Sequence, residues 1–167
     1  MKLLILRPEP GASETAARAR AMGLEPAVAP LFEIVAVEGP PVEAGRFEAV
    51  LLTSANGARH APAGLAHLPC FAVGETTAAA ARSAGFVEVR TGPCDGAAAA
   101  AMIAEAGVKR ALHPCGREHI PVEAAGVAIE RRIVYSAEPV RRERFEGPAV
   151  AMIHSARAGA RFAELAG

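Results

Sequence analysis

Short apolar runs alternate with helix-prone stretches along almost the whole chain, and this alternation limits the architecture more than any other feature. Leu3 to Leu6, Glu25 to Ala29, Ala49 to Leu52 and Phe71 to Val73 read as strands. So do Val87 to Arg90, Arg110 to His113, Val127 to Tyr135 and Val150 to Ile153. Helices are expected between them. Ser13 to Met22 has Glu14 early, Arg18 and Arg20 late, and Gly23 as a stop, an order that suits the helix dipole. An alanine-rich helix follows Gly74-Glu75-Thr76-Thr77 and ends at Gly85. Another runs from an Asp95 cap to Gly107, and a last one follows Ser155 to Leu165. Strand–loop–helix units of this kind predict an α/β fold with parallel sheets flanked by helices.

Two segments read as linkers. Ile34 to Pro41 contains Gly39-Pro40-Pro41, and Glu138 to Pro148 is rich in Arg and Glu and ends in Gly147-Pro148. Both are expected to resist regular packing. The chain then divides into a middle lobe, 38–137, and a discontinuous terminal lobe built from 1–35 and 139–167.

Charge and cysteine usage exclude several classes. Lys plus Arg number 18 and Asp plus Glu number 18, so the formal net charge is zero. A nucleic-acid binder normally carries a basic excess. Any attraction for an anion must be local. Cys70, Cys94 and Cys115 form no CxxC pair and are expected to be free thiols in a reducing cytoplasm. The opening run Met1 to Leu6 is too short for a signal sequence or a membrane span, and no other run reaches that length.

In open parallel sheets, ligands bind beyond the C-terminal ends of the strands. The loops expected there carry Arg7; Thr53, Ser54 and Asn56; Gly74, Thr76 and Thr77; Gly116 and Arg117; and Ser155 with Arg157. They offer hydroxyls, amides and backbone N–H groups at expected helix N-termini, where carboxylate or phosphate binds. Ser, Thr and Asn at such places are also ordinary caps. Repetition across several loops, not any single residue, points to a polyanionic ligand.

Other constellations are weaker. His113, Cys115 and His119 have metal-type side chains, but structural zinc sites bring four ligands in paired spacing, so no metal is expected. Neither GxGxxG, a Walker A motif nor GxSxG occurs. His60, His67 and His154 read as structural or exposed. Tyr135, the single tyrosine, is either an edge aromatic with a wet hydroxyl or a proton donor facing a cleft.

Taken in order, these segments resemble one family. Arg7-Pro8, Ala29-Pro30-Leu31-Phe32-Glu33-Ile34, Leu52-Thr53-Ser54-Ala55-Asn56 and Ala72-Val73-Gly74-Glu75-Thr76-Thr77-Ala78 are similar to segments of uroporphyrinogen-III synthases. Ala84-Gly85-Phe86, Pro114-Cys115-Gly116-Arg117, Val134-Tyr135 and Ile153-His154-Ser155 continue the likeness over nearly the whole chain. The resemblance implies a two-lobed α/β lyase, cytoplasmic and monomeric, without metal or organic cofactor and without a nucleic-acid or membrane partner. Its substrate would be hydroxymethylbilane, a linear tetrapyrrole polycarboxylate. The enzyme would close it to uroporphyrinogen III with inversion of the last ring. By the same resemblance, Thr77 and Tyr135 match positions tied to activity. Ser54, Asn56, Gly74 and Ser155 match ligand-facing positions.

One departure stands out. The family continues beyond the last helix here with further strand–helix units, including a second glycine/threonine loop. The terminal lobe is therefore expected to be incomplete, with three strands, two helices, a bare sheet edge and an uncovered face. A fragment, a partner that fills the gap, or lost activity would each account for it. Two other readings stay open: a non-catalytic anion-binding module, and a nucleotide-using enzyme of Rossmann type.

Overall fold

A strand buried along its whole length needs a layer on both faces. Ala49-Val50-Leu51-Leu52 is such a strand, with all its residues buried. The computed structural model, which describes residues 2–93, 95–145 and 147–166, supplies both layers. In chain order the elements are β1 (Lys2–Ile5), α1 (Gly11–Ala21), β2 (Pro26–Val28), β3 (Phe32–Ala36), β4 (Ala49–Leu52), α2 (Ala55–Arg59) and β5 (Cys70–Val73). They continue with α3 (Gly74–Ser83), β6 (Val89–Gly92), α4 (Gly96–Glu105), β7 (Arg110–Gly116), β8 (Ala128–Pro139), β9 (Ala149–Met152) and α5 (Ala156–Ala166).

The chain divides into two compact units. One comprises Met1–Val35 and Ala137–Gly167, the other Ala36–Ser136. The first contains a parallel sheet of order β2-β1-β9. Its central strand splits its side chains by the two-residue period. Leu4 and the following Leu6 join Ala158 and Leu165 of α5, while Ile5 meets Ala12 and Ala16 of α1. Alanines at every fourth position let α1 lie close to the strand.

The second unit is built on the parallel order β8-β7-β4-β5-β6. Val50 and Leu52 of β4 pack with Ala58 of α2 and with Ala78 and Ala81 of α3. Ala49 and Leu51 face the other way, onto Ala99 and Ile103 of α4. The α/β architecture with parallel sheets flanked by helices is therefore present.

Several element boundaries differ from expectation. Helix α1 starts at Gly11 rather than Ser13, because the Glu9 carboxylate accepts the Ser13 N–H at 3.0 Å and its hydroxyl at 2.9 Å. The segment 34–41 begins as strand β3. The β-branched pair Ile34-Val35 favours extension, and the Gly-Pro-Pro break acts only at 39–41. The segment 138–148 likewise begins inside β8. Strand β6 starts at Val89, two residues late, and Val87 is exposed.

The largest difference is at Pro114-Cys115-Gly116. It reads as the loop after the strand Arg110 to His113, yet it is the buried end of β7. Pairing with β4 stops at Leu112, and the register with β8 shifts between Cys115 and Gly116. Proline is tolerated in a strand where pairing ends or a bulge begins. Cys70 and Cys115 are buried free thiols, and burial pushes the Cys70 thiol up to about 12. The free-thiol expectation for Cys94 lies outside the described residues. Among the described residues no helix is long and apolar enough to cross a membrane.

Leu51 is fully buried between β4 and α4. Leu51→Ala is expected to destabilise its unit by about 2–5 kcal/mol through lost burial and the cavity left behind. Urea unfolding followed by circular dichroism measures the loss.

Candidate functional site

Parallel strands deliver their C-terminal ends to one edge of the sheet, and the residues just beyond them share that edge. In the unit Ala36–Ser136 a cavity of about 570 Å³ opens there. Thr53 and Ser54 follow β4, Val73 ends β5, and Gly116 ends β7. Tyr135 on β8, the α4 cap Asp95-Gly96-Ala97 and the segment 118–122 complete the wall. Its size falls within the range of small-molecule sites.

Two glycines bring the hydroxyl-bearing side chains together. The β7–β8 register sets Gly116 beside Tyr135. A Cβ on Gly116 would lie 2.7 Å from Cζ of Tyr135 and 2.9 Å from its hydroxyl oxygen, so the ring rests on bare backbone. A Cβ on Gly57 would lie 2.6 Å from the Pro114 carbonyl oxygen, so the start of α2 can sit on the end of β7 only without a side chain there. Ser54 caps α2: its Oγ accepts the Gly57 N–H at 3.0 Å. The same Oγ lies 3.1 Å from the Tyr135 hydroxyl, and either group can donate. The His60 ring stands 6.1 Å from the Tyr135 ring, tilted by 32°.

One histidine supports the wall from behind and another forms part of it. Thr53 Oγ1 lies 3.0 Å from Nε2 of His113, which is wholly buried. Burial, together with nearby His119 and Arg131, pulls the His113 pKa down to about 4. His113 is thus neutral near pH 7. Arg131 donates to His119 Nε2 at 3.1 Å, and guanidinium has no acceptor. His119 Nδ1 must then carry the proton and donate to the Gly116 carbonyl at 3.0 Å. Burial, and secondarily Arg59, lowers the pKa of His60. Asp95 Oδ1 accepts the Ala97 N–H at 2.9 Å and caps α4 as expected.

The cavity gathers Thr53, Ser54, Gly116 and Tyr135 from the expected set. Asn56, Gly74, Thr76, Thr77 and Arg117 belong to the same unit but do not line it. Asn56 Oδ1 accepts from Arg59 at 3.0 Å. Gly74 opens α3 with φ of 70°, Thr76 is exposed, and Thr77 is buried on the inner side of that helix. The expectation that Gly116 and Arg117 sit at a helix N-terminus does not hold. Gly116 belongs to β7, and no helix starts between β7 and β8. Proline at 121 and glycine at 126 punctuate that stretch, and Arg117 donates its backbone N–H to the Tyr135 carbonyl at 2.9 Å.

Arg7 and Ser155 belong to the other unit. The Arg7 guanidinium covers Gly11 and reaches Thr15 Oγ1 at 3.4 Å. Ser155 accepts the Ala158 N–H at 3.1 Å at the start of α5. Arg157, a cation in the first turn of α5 where it opposes the helix dipole, lies over the Phe32 ring at 4.3 Å, an attraction that offsets the penalty. Asp95 and Glu118 in the cavity wall were not foreseen as site residues. Neither His113 nor His119 was foreseen as a support. Among the described residues no group of three or more His, Cys, Asp or Glu could hold a metal ion.

Tyr135 is the single tyrosine and tryptophan is absent, so its fluorescence reports on this seat alone. Gly116→Ala is expected to change that emission and to lower stability by about 1–3 kcal/mol through overpacking. Unchanged emission would refute the seating. His113 gives a second expectation. The unfolded chain binds a proton at the ordinary pKa of 6.5, the folded chain only near 4. Stability is then full above about pH 6.5 and falls as pH drops towards 4, by on the order of 3 kcal/mol in all. Stability curves of wild type and His113→Gln across that window should differ in slope, the variant being flatter.

Comparison with known proteins agrees with this architecture. A family model described as uroporphyrinogen-III synthase HemD matches residues 13–167. The crystal structure of uroporphyrinogen-III synthetase from Helicobacter pylori superposes with a TM-score of 0.63 at 14% identity, covering 99% of this chain and 78% of that one. A mutant uroporphyrinogen III synthase from the extremely thermophilic bacterium Thermus thermophilus gives a TM-score of 0.49 at 15% identity, covering 84% of this chain and 64% of that one. No curated protein matches the chain. The likeness to solved structures concerns the fold, and the match of the family model extends over most of the sequence: the chain belongs to the uroporphyrinogen-III synthase family.

Proposed function

We propose that this chain cyclises hydroxymethylbilane to uroporphyrinogen III, with inversion of the last pyrrole ring. The observation that carries the proposal is the Ser54–Tyr135 hydroxyl pair, 3.1 Å apart in the cavity wall of a chain from this family.

Tyr135 gives a proton to the hydroxyl of the hydroxymethyl group, and water leaves. An electrophilic azafulvene remains. The last pyrrole attacks it through its substituted carbon, and the new C–C bond makes a spiro intermediate. The bond from that carbon to its original methylene bridge then breaks. The freed methylene, now electrophilic, recloses on the unsubstituted α-carbon of the same ring, which inverts it, and loss of the proton from that carbon restores the pyrrole and balances the proton that Tyr135 gave. The chain's contribution is acid catalysis and positioning of a flexible substrate.

The wall suits such a ligand in kind. Thr53 and the Gly96 backbone amide at the start of α4 can donate to carboxylates. Asp95 and Glu118 can accept from pyrrole N–H groups. Asn56, Gly74, Thr76, Thr77 and Arg117 are further candidate contacts, with Thr77 a candidate for a role in turnover. Arg7 and Ser155 are candidate carboxylate contacts in their own unit.

Freshly prepared hydroxymethylbilane, incubated with the chain, is expected to yield the type III isomer. Only type I, which forms spontaneously, would mean a non-catalytic member of the family. Tyr135→Phe is expected to slow turnover by roughly 10²–10⁴-fold with the fold retained, the usual span for a positioned general acid. Steady-state kinetics and circular dichroism check both halves, and unchanged turnover removes Tyr135 from the mechanism.

A further inference from the structure

His113 has no part in the reaction written above, yet it is the most deeply buried of the polar side chains at the site, with no exposed surface. Nε2 lies 3.0 Å from Thr53 Oγ1. Nδ1 is buried and has no hydrogen-bond partner among the described residues. Neutral imidazole carries one N–H and one bare nitrogen, and the partners decide which is which. A buried orphan N–H is rarer and costlier than an under-used acceptor. The bare nitrogen is therefore Nδ1, and Nε2–H donates to Thr53 Oγ1.

That hydrogen bond has a consequence for Thr53, which lines the cavity. Its oxygen is already accepting, so its own proton remains to be given away. We propose that His113 is a positioning residue that makes the Thr53 hydroxyl a dedicated donor to an acceptor atom of the bound ligand, such as a carboxylate oxygen. Charge would undo the arrangement. The positive neighbour facing His113 is Arg131, and the His119 ring stands edge-on beside it, 6.2 Å between centroids. Both surroundings and burial keep the ring uncharged at neutral pH. A ligand presenting a donor instead of an acceptor at Thr53 could reach only the second lone pair of the oxygen and would leave the hydroxyl proton unused, a mismatch of the kind that polar sites disfavour.

The acceptor's identity as a substrate carboxylate rests on the proposed function. The direction of the hydrogen bond does not. Long-range 1H–15N correlation spectra of the histidine-labelled chain near pH 7 therefore test the two separately. Expected for His113, assigned by its loss in His113→Gln, are a protonated Nε2 and a bare Nδ1. A protonated Nδ1, or a charged ring, overturns the proposal. Uroporphyrin I, a stable tetrapyrrole polycarboxylate, then serves as the binding probe through its fluorescence. Thr53→Val and His113→Leu are each expected to weaken binding about ten-fold, the double variant no further, since His113→Leu releases the direction of the same donor that Thr53→Val deletes. His113→Gln, which can place an amide N–H near the Nε2 position, should keep binding within about two-fold of wild type. Multiplying effects in the double variant, or a His113→Gln chain that is folded yet as weak as His113→Leu, overturn the proposal. A wild-type chain that ignores the porphyrin sinks the polycarboxylate reading, and the tautomer alone then decides the role of His113.

Discussion

The register between β7 and β8 is the constraint on which the site depends. Parallel pairing runs from Arg110 opposite Ala128 to Cys115 opposite Ile133, then shifts so that Gly116 meets Tyr135. Because side chains alternate across a strand, a slip of one residue would turn Tyr135 to the other face. The shift therefore does what a bulge commonly does beside functional sites: it re-aims one side chain. Gly116 leaves the space that the ring needs, and Gly57 lets Ser54 approach from α2. Neither glycine has a positive φ. Both are set by close approach, which is a tertiary requirement.

The cavity is not a basic pocket. Its wall mixes hydroxyls, a tyrosine, carboxylates and a histidine whose ring nitrogens are both engaged. In a chain without net charge this favours recognition by directed hydrogen bonds over bulk attraction. Burial is what makes the directions definite. His113 is neutral because it is buried, and a neutral imidazole has one donor nitrogen and one acceptor nitrogen. The same burial that costs the protein stability in acid gives Thr53 a fixed hydrogen-bonding role.

Small residues connect the packing to the site. Ala58, Ala78 and Ala81 on one face of the sheet, and Ala99 and Ala100 on the other, bury almost completely. Helices faced with alanine lie close to the strands. The starts of α2 and α4 then reach the sheet edge where β4, β5 and β7 end. Larger side chains at these places would lift the helices, and with them the Ser54 and Asp95 caps, away from the cavity.

Much of the fold is legible in short stretches of sequence. The two-residue period of Leu4-Ile5-Leu6 and of Ala49 to Leu52, the Asp95 cap and the glycines after α1 and α3 act over a few residues, so they can be read directly. Thr53 and Ser54 follow from the same logic, since they come just after a buried parallel strand. What a proline or glycine does inside a ladder cannot be read this way. Pro114 and Gly116 look like a turn until β8 is laid beside them. The contacts that make the site join Thr53 to His113, 60 residues on, and Ser54 to Tyr135, 81 residues on. Local propensity is blind to such pairs, because their distance depends on strand order and register. Sequence alone settled most of the strands and helices and which loops carry hydroxyls; tertiary packing decided the rest of the elements and which of those hydroxyls meet, because only there do close approach and burial act on residues far apart in the chain.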